Sequence, residues 1–393
     1  MKKPLEGIRV LDMTKVIAGP LCSMLLSDMG ADVIKIEKKD VGEEGRTYGP
    51  WKEGVSLFYT VFNRNKRSMG IDFRNDEGLA VFRDLIKVSD VLVENYRPGT
   101  LASMGFDADA LKKLNPRLIV AHLSGFGQYG PNRDRVAYDA IIQAMCGLED
   151  LTGQVDGMPQ MTGSSLLDCI TGVYGAYGVM LALFEREKSG LGQEIDVALL
   201  DSGFSVLTTN MPDYLANGVI QTRVGNTDRV CAPVNTYMAK DRYIHINGGA
   251  QAVFKRLCQC MEREDLMDRF GDPDYRFDHG QEIDEILAEW VADKEAEELE
   301  RRLTAFDIPA SVVRNVGEAL DSDHVKARKV VEFVDYPGIG PIPLPGVNVK
   351  LSRTPGAIYR RPALAGEHSE EILRDILGKT REEIRQLKAS RAV

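Results

Sequence analysis

The sequence predicts an α/β protein with a Rossmann-like large domain, built on a parallel sheet, and a smaller α+β domain. In the first third of the chain, short apolar segments alternate with helical segments of about ten residues, which is typical of parallel strands covered by helices. After residue 230 this alternation gives way to a hairpin pattern and a strongly charged helical stretch. With 393 residues, the chain is long enough for two domains.

The elements of the large domain follow one another in chain order. We predict strands at IRVLDM, ADVIKIEK, RSMGIDF, VLVENY and LIVAHLSGFG. The helices between them are predicted at PLCSMLLSDMG, EGLAVFRDLIKVS and DALKKLN. The first strand-to-helix turn, KVIAGP, lacks the G-x-G-x-x-G pattern that holds a dinucleotide pyrophosphate, which argues against a nicotinamide cofactor.

The rest of the chain is predicted to form the small domain and a returning tail. TYMAKDRYIHINGG predicts a hairpin, and residues 282–303 predict a solvated pair of helices. The helical tail at residues 367–391 is expected to pack back on the first domain. We therefore predict a large domain over residues 1–210, a small domain over 225–325 and a C-terminal segment over 330–393 that returns to the large domain.

The composition argues against several classes of partner. The net charge of -10, without a basic face or tail, argues against nucleic acid. No apolar window is expected to reach membrane-spanning length, and the N-terminus lacks the apolar run of a signal peptide. The six cysteines are scattered and the five histidines suggest no metal site. We expect a cytoplasmic protein with reduced thiols and no membrane partner.

The most informative stretch is MTGSSLLDCITGVYGAYGVMLALFEREKSGLGQEIDVALL, residues 161–200. It places Asp168 at the start of a long apolar helix. Gly172, Gly175 and Gly178 recur at every third position of that helix, where small residues let another backbone pack closely. The helix macrodipole favours the ionised form of an acid at this end. From these local features alone, Asp168 is either a helix cap or a carboxylate nucleophile.

Several separated segments resemble the class III CoA-transferases, the family of the formyl-CoA, carnitine and bile-acid CoA-transferases. The matching segments are LEGIRVLDMTKVIAGPLCSMLLSDMGADVIKIE, NRNKRSMGIDF, VENYRPGTLASMGF, NPRLIVAHLSGFGQYGP, YDAIIQAMCGL, the segment around Asp168, IPASVV and GEHSEEIL. They lie in the family's order over essentially the whole chain. The resemblance implies a large domain built from both chain ends, an inserted smaller domain, and a homodimer of two chains interlocked as rings.

The resemblance also implies a reaction. Such enzymes move CoA from an acyl-CoA donor to a small carboxylic acid, so coenzyme A is a substrate and no tightly bound cofactor is expected. Asp168 matches the catalytic aspartate, which would form a mixed anhydride and then an aspartyl-CoA thioester. A carboxylate suits this task because the anhydride stays activated, whereas a serine ester would lie too low in energy. Gly248 and Gly249, in INGGAQ, match a glycine loop whose amides would approach the oxyanion.

Contacts to CoA are implied position by position. The matching residues are Val16, Ala18, Lys38, Ile71, Arg74, Asn95, Tyr96 and Arg97. A phosphate suits Arg97 because a planar guanidinium pairs with two oxygens, although an exposed surface charge is the alternative for each basic residue. Two positions depart from the family. Ser103 replaces an arginine found in several members, and Ile17 stands where oxalate-using members carry a glutamine, which puts oxalate in doubt as a substrate.

An α-methylacyl-CoA racemase of the same fold is the main alternative. That reaction needs two bases, and the racemases concerned use a histidine directly before an aspartate. Here Tyr138 precedes Asp139, and tyrosine is a poor base near neutral pH, so transfer is favoured. Tyr138, Asp139 and Ile17 are candidate substrate contacts, while a structural hydrogen-bonding role is equally open for Asp139. A non-catalytic CoA-binding regulator is a third hypothesis, and an acid–CoA ligase would need a phosphate-binding loop that the sequence lacks.

Overall fold

The structure, a computed structural model, describes residues 3–393. Its strands are β1 (Arg9–Asp12), β2 (Asp32–Lys38), β3 (Trp51–Lys52), β4 (Val55–Ser56), β5 (Arg67–Ile71), β6 (Val91–Glu94), β7 (Ile119–Ser124), β8 (Glu194–Ala198), β9 (Val234–Met238), β10 (Tyr243–Asn247), β11 (Ala310–Val312), β12 (Val331–Tyr336) and β13 (Gly340–Pro345).

Helices connect and cover these strands. They are α1 (Ala18–Asp28), α2 (Leu57–Phe62), α3 (Asp76–Lys87), α4 (Thr100–Ser103), α5 (Ala108–Leu114), α6 (Asp139–Cys146), α7 (Leu148–Leu151), α8 (Leu166–Ser189), α9 (Leu199–Ser205), α10 (Asn210–Asn217), α11 (Gln251–Met261), α12 (Asp265–Phe270), α13 (Pro273–Asp278), α14 (Gly280–Val291), α15 (Ala296–Ala305), α16 (Val316–Asp321), α17 (Asp323–Ala327), α18 (Ser369–Asp375) and α19 (Arg381–Ala389). A 3-10 turn covers Glu44–Thr47.

The chain divides into two compact units. Unit 1 runs up to Leu148 and includes Thr162–Asn217 and Lys326–Val393, whereas unit 2 comprises Glu149–Met161 and Gly218–Val325. The segment Glu149–Met161 differs from the predicted domain limits. It groups with unit 2 because Arg223 bonds the carbonyl groups of Asp150 and Gly157. The predicted domain boundaries themselves stay a prediction.

A six-stranded parallel sheet forms the centre of unit 1. Its strand order is β5-β2-β1-β6-β7-β8, and every neighbouring pair is parallel. The chain passes from β1 to β2 on one side, and only later adds β6 on the other side, so the order reverses between β1 and β6. The α/β class with a parallel sheet is confirmed, and five of its six strands, all except β8, fall within the segments predicted as strands.

The C-terminal segment packs on the same unit. The backbone N–H of His368 donates to the Ser68 carbonyl at 2.9 Å, next to the edge strand β5. Ile372 and Ile384, from α18 and α19, are buried in the same apolar core as Phe82 of α3. The sequence predicted that this helical tail would pack back on the first domain, and these contacts within unit 1 agree with it.

Unit 2 has its own sheet and its own apolar core. Strands β9, β10 and β11 form an antiparallel sheet in the order β11-β10-β9. The predicted hairpin is confirmed by the pairing of β9 with β10, and the predicted charged helix pair corresponds to α14 and α15. Buried side chains from these helices, including Leu287 and Leu299, pack with Ile244 and Ile246 of β10.

Helix α8 packs closely on its neighbours in unit 1. A Cβ atom added to Gly172 would lie 2.7 Å from the Ala18 carbonyl oxygen, and one added to Gly175 would lie 2.9 Å from a methyl carbon of Leu123. Both distances are too short for a side chain. The glycines therefore allow α1 and β7 to approach α8, which is the close packing that their spacing predicted.

The opposite face of α8 is apolar and exposed. The side chains of this face, which we call the α8 stripe, are Val173, Tyr177, Met180, Leu181 and Phe184. Because both faces are apolar, α8 is long and apolar enough to cross a membrane by length and composition alone. The expectation that no segment reaches this length is therefore wrong. Packing inside unit 1 accounts for the buried face of the helix.

A cluster of buried charges lies at the end of β1. Asp12, Lys35 and Lys66 are all fully buried. The Lys66 Nζ lies 2.9 Å from Asp12 Oδ2, and the Lys35 Nζ lies 3.6 Å from Asp12 Oδ1. The two ammonium groups also donate to the carbonyl oxygens of Pro20 and Thr14, respectively. Burial alone would raise the pKa of Asp12, but the two lysines bring it well below its usual range, while burial lowers the pKa of Lys66 to about 8.

Replacing the shared anion is expected to destabilise the protein strongly. Asp12→Ala leaves two buried ammonium groups without a counter-charge, so we expect a loss of about 3–5 kcal/mol in the free energy of unfolding. Lys66→Met leaves a one-to-one pair and should cost less than about half as much. Urea denaturation measures both values, with Asp156→Ala in an exposed turn as a control that should stay within about 0.5 kcal/mol of the parent. Equal losses for Asp12→Ala and Lys66→Met would contradict this account.

Candidate active site

A cavity of about 300 Å³ lies in unit 1, at the carboxyl edge of the parallel sheet. Its walls are the loops that follow β1, β6 and β7, together with the first turn of α8. This is the point where the strand order reverses, which is where open α/β sheets usually bind ligands. Of the predicted site residues, the cavity brings together Val16, Ile17, Ala18, Asn95, Tyr96, Arg97, Tyr138 and Asp168.

The first turn of α8, which carries Asp168, is capped by another residue. Oδ1 of Asp139 accepts the backbone N–H of Leu167 at 2.7 Å and that of Asp168 at 3.0 Å. Its other oxygen accepts a hydrogen bond from the Gln143 side chain, which also bonds Thr162. Asp139 is only 7% exposed and does not line the cavity. The structure therefore gives Asp139 the hydrogen-bonding role that the sequence left open.

The carboxylate of Asp168 accepts no hydrogen bond from any residue in 3–393, although it lines the cavity. Burial, and then the like charge of Asp139, raise the pKa of Asp168 to about 7. The macrodipole argument from the sequence predicted a shift in the opposite direction. It fails because Asp139 already neutralises the N-terminal amides of α8, so that burial of Asp168 prevails.

The loop after β1 forms one wall of the cavity and has an unusual backbone. Val16 has a φ of 69°, a left-handed conformation that costs a β-branched residue on the order of 1–3 kcal/mol. The Asn95 side chain accepts the Lys15 N–H at 2.9 Å and donates to the Lys15 carbonyl at 2.8 Å. Asn95 thus fixes the loop in addition to lining the cavity, and its predicted contact with CoA stays a prediction.

Three of the predicted CoA contacts do not line this cavity. Lys38 and Ile71 are register partners at the ends of β2 and β5, and Arg74 follows shortly after Ile71. Lys38 and Arg74 are exposed, which suits contacts with phosphates. Ile71 is fully buried as a whole residue, so it offers no accessible surface to a ligand here, and its predicted contact with CoA stays a prediction. Ser103 is exposed in α4 and donates to the Thr100 carbonyl at 2.7 Å.

The predicted glycine loop lies in unit 2, between β10 and α11. The Gly248 N–H donates to the Pro233 carbonyl at 2.8 Å, so it is already engaged. A Cβ atom added to Gly248 would lie 2.6 Å from Leu257, and one added to Gly249 would lie 2.4 Å from the Cys231 sulfur. Close packing therefore requires both glycines, which is a structural reason for their presence beside the predicted one.

Sequence reasoning missed four charged residues that line the cavity. The Lys15 Nζ lies 3.4 Å from the Glu44 carboxylate, and Arg133 lies 3.5 Å from the neighbouring Asp134. Arg135 has no ion pair among residues 3–393, and its guanidinium lies near an aromatic ring. Three of these residues follow the ends of β1 and β7 in the sequence. The rule that ligands bind beyond the carboxyl ends of parallel strands could have pointed to them.

The raised pKa of Asp168 predicts a pH-dependent cost to stability. Between the unfolded pKa near 4 and the folded pKa of about 7, the folded chain holds a proton that the unfolded chain has lost, so stability falls as pH rises. Asp168→Asn removes this dependence. We expect the variant to exceed the parent in unfolding free energy at pH 8, by at most about 4 kcal/mol, and the advantage to shrink towards pH 4. Denaturant titrations across this range measure it, and a constant difference would contradict the assignment.

Comparisons with known proteins identify one family over nearly the whole chain. The sequence profile of CoA-transferase family III matches residues 5–369. The chain is 36% identical to a succinyl-CoA–D-citramalate CoA-transferase of Chloroflexus aurantiacus, covering 100% of this chain and 98% of the relative. It is 38% identical to the beta subunit of a succinyl-CoA–L-malate CoA-transferase of the same organism, with 99% and 98% covered. It is 32% identical to the succinyl-CoA:glutarate CoA-transferase of Homo sapiens, with 95% and 86% covered.

A solved structure shows the same fold. The crystal structure of a CaiB/BaiF family protein from Brucella suis superposes with a TM-score of 0.85 at 32% identity, covering 95% of this chain and 100% of that one. With the family profile and the relatives above, this similarity extends over nearly the whole chain. The chain belongs to CoA-transferase family III and is an enzyme that transfers CoA between an acyl-CoA and a carboxylic acid.

Proposed function

We propose that this enzyme transfers CoA from succinyl-CoA to a small dicarboxylic or hydroxydicarboxylic acid, with Asp168 as the nucleophile. The observation that carries the proposal is a carboxylate without hydrogen-bond partners in residues 3–393, placed in a cavity with several cations at the sheet's switch point. The relatives support the substrate class. Each of the three is named for succinyl-CoA, and their other named substrates, citramalate, malate and glutarate, all carry two carboxylates.

The proposed reaction begins with attack by an Asp168 oxygen on the thioester carbonyl carbon. The carbon–sulfur bond breaks, CoA thiolate leaves, and a mixed anhydride of Asp168 forms. The thiolate then attacks the aspartyl carbonyl carbon and releases the donor as a free carboxylate, which leaves an aspartyl-CoA thioester. The acceptor repeats these two steps in reverse order and leaves as the new acyl-CoA. Each step exchanges one activated acyl bond for another, so the thioester bond energy is kept provided that water does not hydrolyse the anhydride or the aspartyl thioester.

The environment of Asp168 suits a nucleophile, because no hydrogen bond within residues 3–393 stabilises its carboxylate before the attack. A carboxylate that accepts several hydrogen bonds is a poor nucleophile because it must lose them in the transition state. The N–H groups of the α8 first turn, which could have solvated Asp168, are instead bonded to Asp139. The pKa of about 7 also raises the intrinsic basicity of Asp168 while leaving a large ionised fraction near neutral pH.

We propose that CoA extends from this cavity across the carboxyl edge of the sheet. Val16, Ala18, Asn95 and Tyr96 would contact the part near the thioester. Arg97 is exposed at the cavity rim and has no ion pair among residues 3–393, so it is free to bind a phosphate. The exposed Lys38 and Arg74, near the neighbouring ends of β2 and β5, would then bind phosphates of the adenosine moiety. Arg97 and Lys38 would replace the arginine missing at Ser103.

Two further parts of the proposal concern the glycine loop and the assembly. Gly249 would supply the oxyanion contact of the glycine loop, since the amide of Gly248 is already engaged.

We propose that two chains form an interlocked homodimer in the cytoplasm. The α8 stripe supports this, because a continuous apolar stripe of five exposed side chains along one helix is typical of a surface that another chain covers.

The proposed transfer is tested by mass spectrometry of CoA species. Purified enzyme is mixed with succinyl-CoA and, in turn, with citramalate, malate, glutarate, mesaconate and the monocarboxylic acids acetate and butyrate. We expect a new acyl-CoA with at least one dicarboxylic acid and none with Asp168→Asn, because an amide is not a nucleophile here. A tryptic peptide containing residue 168 should carry CoA in the parent enzyme when the acceptor acid is left out.

Asp139→Asn serves as the matched carboxylate control for Asp168→Asn. This variant also removes one negative charge close to Asp168, but it keeps an oxygen that can accept hydrogen bonds from the Leu167 and Asp168 N–H groups. Turnover should therefore persist. Full activity of Asp168→Asn would refute the nucleophile. If no acid reacts, deuterium uptake by a 2-methylacyl-CoA in deuterium oxide would favour the racemase alternative, for which Tyr138 would have to replace a basic histidine.

We further propose that Arg135 binds the second carboxylate of the dicarboxylic substrates. It lines the cavity with Asp168, lies on the loop after β7, and has no carboxylate partner in residues 3–393, unlike Lys15 and Arg133. An unpaired guanidinium in a cleft offers a planar pair of donors that matches a carboxylate. This site would favour dicarboxylic over monocarboxylic acceptors.

Arg135→Gln is expected to lower the selectivity for dicarboxylic over monocarboxylic acceptors, without abolishing CoA transfer. The loss of a charge-assisted bidentate contact should reduce kcat/KM for a dicarboxylic acceptor by about tenfold to a hundredfold, and change kcat/KM for butyrate much less. Arg133→Gln is the matched comparison and should have a smaller effect because Arg133 already pairs with Asp134. Steady-state rates with both acceptors provide the measurement. Equal losses of kcat/KM for both acceptors in Arg135→Gln would show that Arg135 does not bind the second carboxylate.

A further inference from the structure

Val16, in the wall of the cavity, is held in its left-handed conformation by a buried glutamate. The Val16 N–H donates to Glu43 Oε2 at 3.2 Å, and the same oxygen accepts the Gly45 N–H at 2.7 Å. Glu43 lies outside the cavity lining and is only 8% exposed. A β-branched residue with a φ of 69° does not keep this conformation unaided, so the contact with Glu43 is one of the forces that maintain it.

Glu43 is itself fixed by a buried ion pair. The Glu43 N–H donates to Glu37 Oε2 at 2.9 Å. Arg46 binds both oxygens of Glu37 at 2.7 Å, which is a bidentate pair, and Arg46 also donates to the Tyr59 hydroxyl. Glu43 Oε1, by contrast, is buried and makes no hydrogen bond within residues 3–393. The two contacts of Oε2 are therefore the whole of the carboxylate's hydrogen bonding.

The position of Glu43 is unlike that of the other residues that hold this loop. Asn95 binds the loop one residue earlier, through the N–H and carbonyl of Lys15, and also lines the cavity. Within residues 3–393, the only hydrogen bond from the Glu43 carboxylate to this loop is at the N–H of the strained Val16. If that contact were lost, Val16 could relax to a negative φ, which would turn its peptide plane and move its side chain in the cavity wall.

We propose that Glu43 is a positioning residue for the acyl-CoA substrate, acting through the backbone of Val16. The proposal rests on the CoA subsite described above, in which Val16 contacts the CoA chain. Glu43 reaches neither the substrate nor Asp168, so its removal should weaken binding of CoA and leave recognition of the acceptor acid unchanged. The required feature is an oxygen that accepts the Val16 N–H, and the negative charge of Glu43 is dispensable.

The test measures CoA binding separately from turnover. Isothermal titration with CoA alone gives a Kd for the parent, Glu43→Ala and Glu43→Gln, and thermal unfolding shows whether each variant is folded. We expect Glu43→Ala to raise the Kd by about tenfold to a hundredfold, since small misplacements in a binding site have effects of this size. Glu43→Gln keeps an amide oxygen for the Val16 N–H and should restore the parent Kd to within about threefold.

Repeating the Glu43→Ala change in a Val16→Gly variant distinguishes positioning of the Val16 backbone from a general loss of structure. Glycine adopts a φ of 69° without strain, so in Val16→Gly the further change Glu43→Ala should raise the Kd for CoA by less than about threefold. The KM for the acceptor acid should stay within about twofold in all folded variants. Glu53→Gln, an exposed glutamate in the β3–β4 turn, is the matched control and should bind CoA like the parent.

Three results with the variants would overturn the proposal. One is a folded Glu43→Ala that binds CoA as tightly as the parent enzyme. Another is a Glu43→Gln as weak as Glu43→Ala, which would show that charge rather than the acceptor oxygen is required. The third is an equal loss from Glu43→Ala in the parent and in the Val16→Gly background. A parent enzyme that does not bind CoA would refute the CoA subsite itself, and with it the role of Glu43, whereas CoA binding without transfer would refute only the proposed reaction.

Discussion

The close approach of α1 to α8 at Gly172 is the constraint on which the candidate site depends. A side chain at this position would collide with the Ala18 carbonyl, which lies in the first turn of α1 and also in the cavity wall. The absence of a Cβ atom therefore sets how near the loop after β1 lies to the helix that carries Asp168. With this contact in place, the loops after β6 and β7 complete the cavity at the point where the strand order reverses.

Buried charge is used in two different ways around this cavity. In the Asp12 cluster every charged group has a partner, since two lysines share one carboxylate and bond backbone carbonyls, and Lys35 bonds the Thr14 carbonyl in the loop after β1. Asp168 has the opposite environment, with no hydrogen-bond partner in residues 3–393 and a like charge nearby. Removing one partner from the Asp12 cluster is costly to the fold, whereas the ionised Asp168 carboxylate itself lowers stability above its pKa.

One of the two local interpretations of Asp168, the helix cap, belongs in the structure to another residue, while its role as a nucleophile stays a proposal. A cap for the N-terminus of α8 is present, and it is Asp139, which reaches the helix from the start of α6. Asp168 is consequently not needed as a cap, and its own carboxylate is left facing the cavity. Separating the two roles lets one carboxylate neutralise the helix amides while the other keeps a raised pKa.

The sequence by itself determined most strands and helices of the parallel sheet, the hairpin of unit 2 and the family, because periodicity, turn residues and matching segments are local properties of the chain. It also identified Gly172 as a packing position. Only the tertiary structure decided that Asp139 caps α8, that Arg135 shares a cavity with Asp168, and that Glu43 holds Val16. Each of these facts joins residues that are distant in sequence, and the direction of the Asp168 pKa depends on burial and on Asp139, which no local pattern contains.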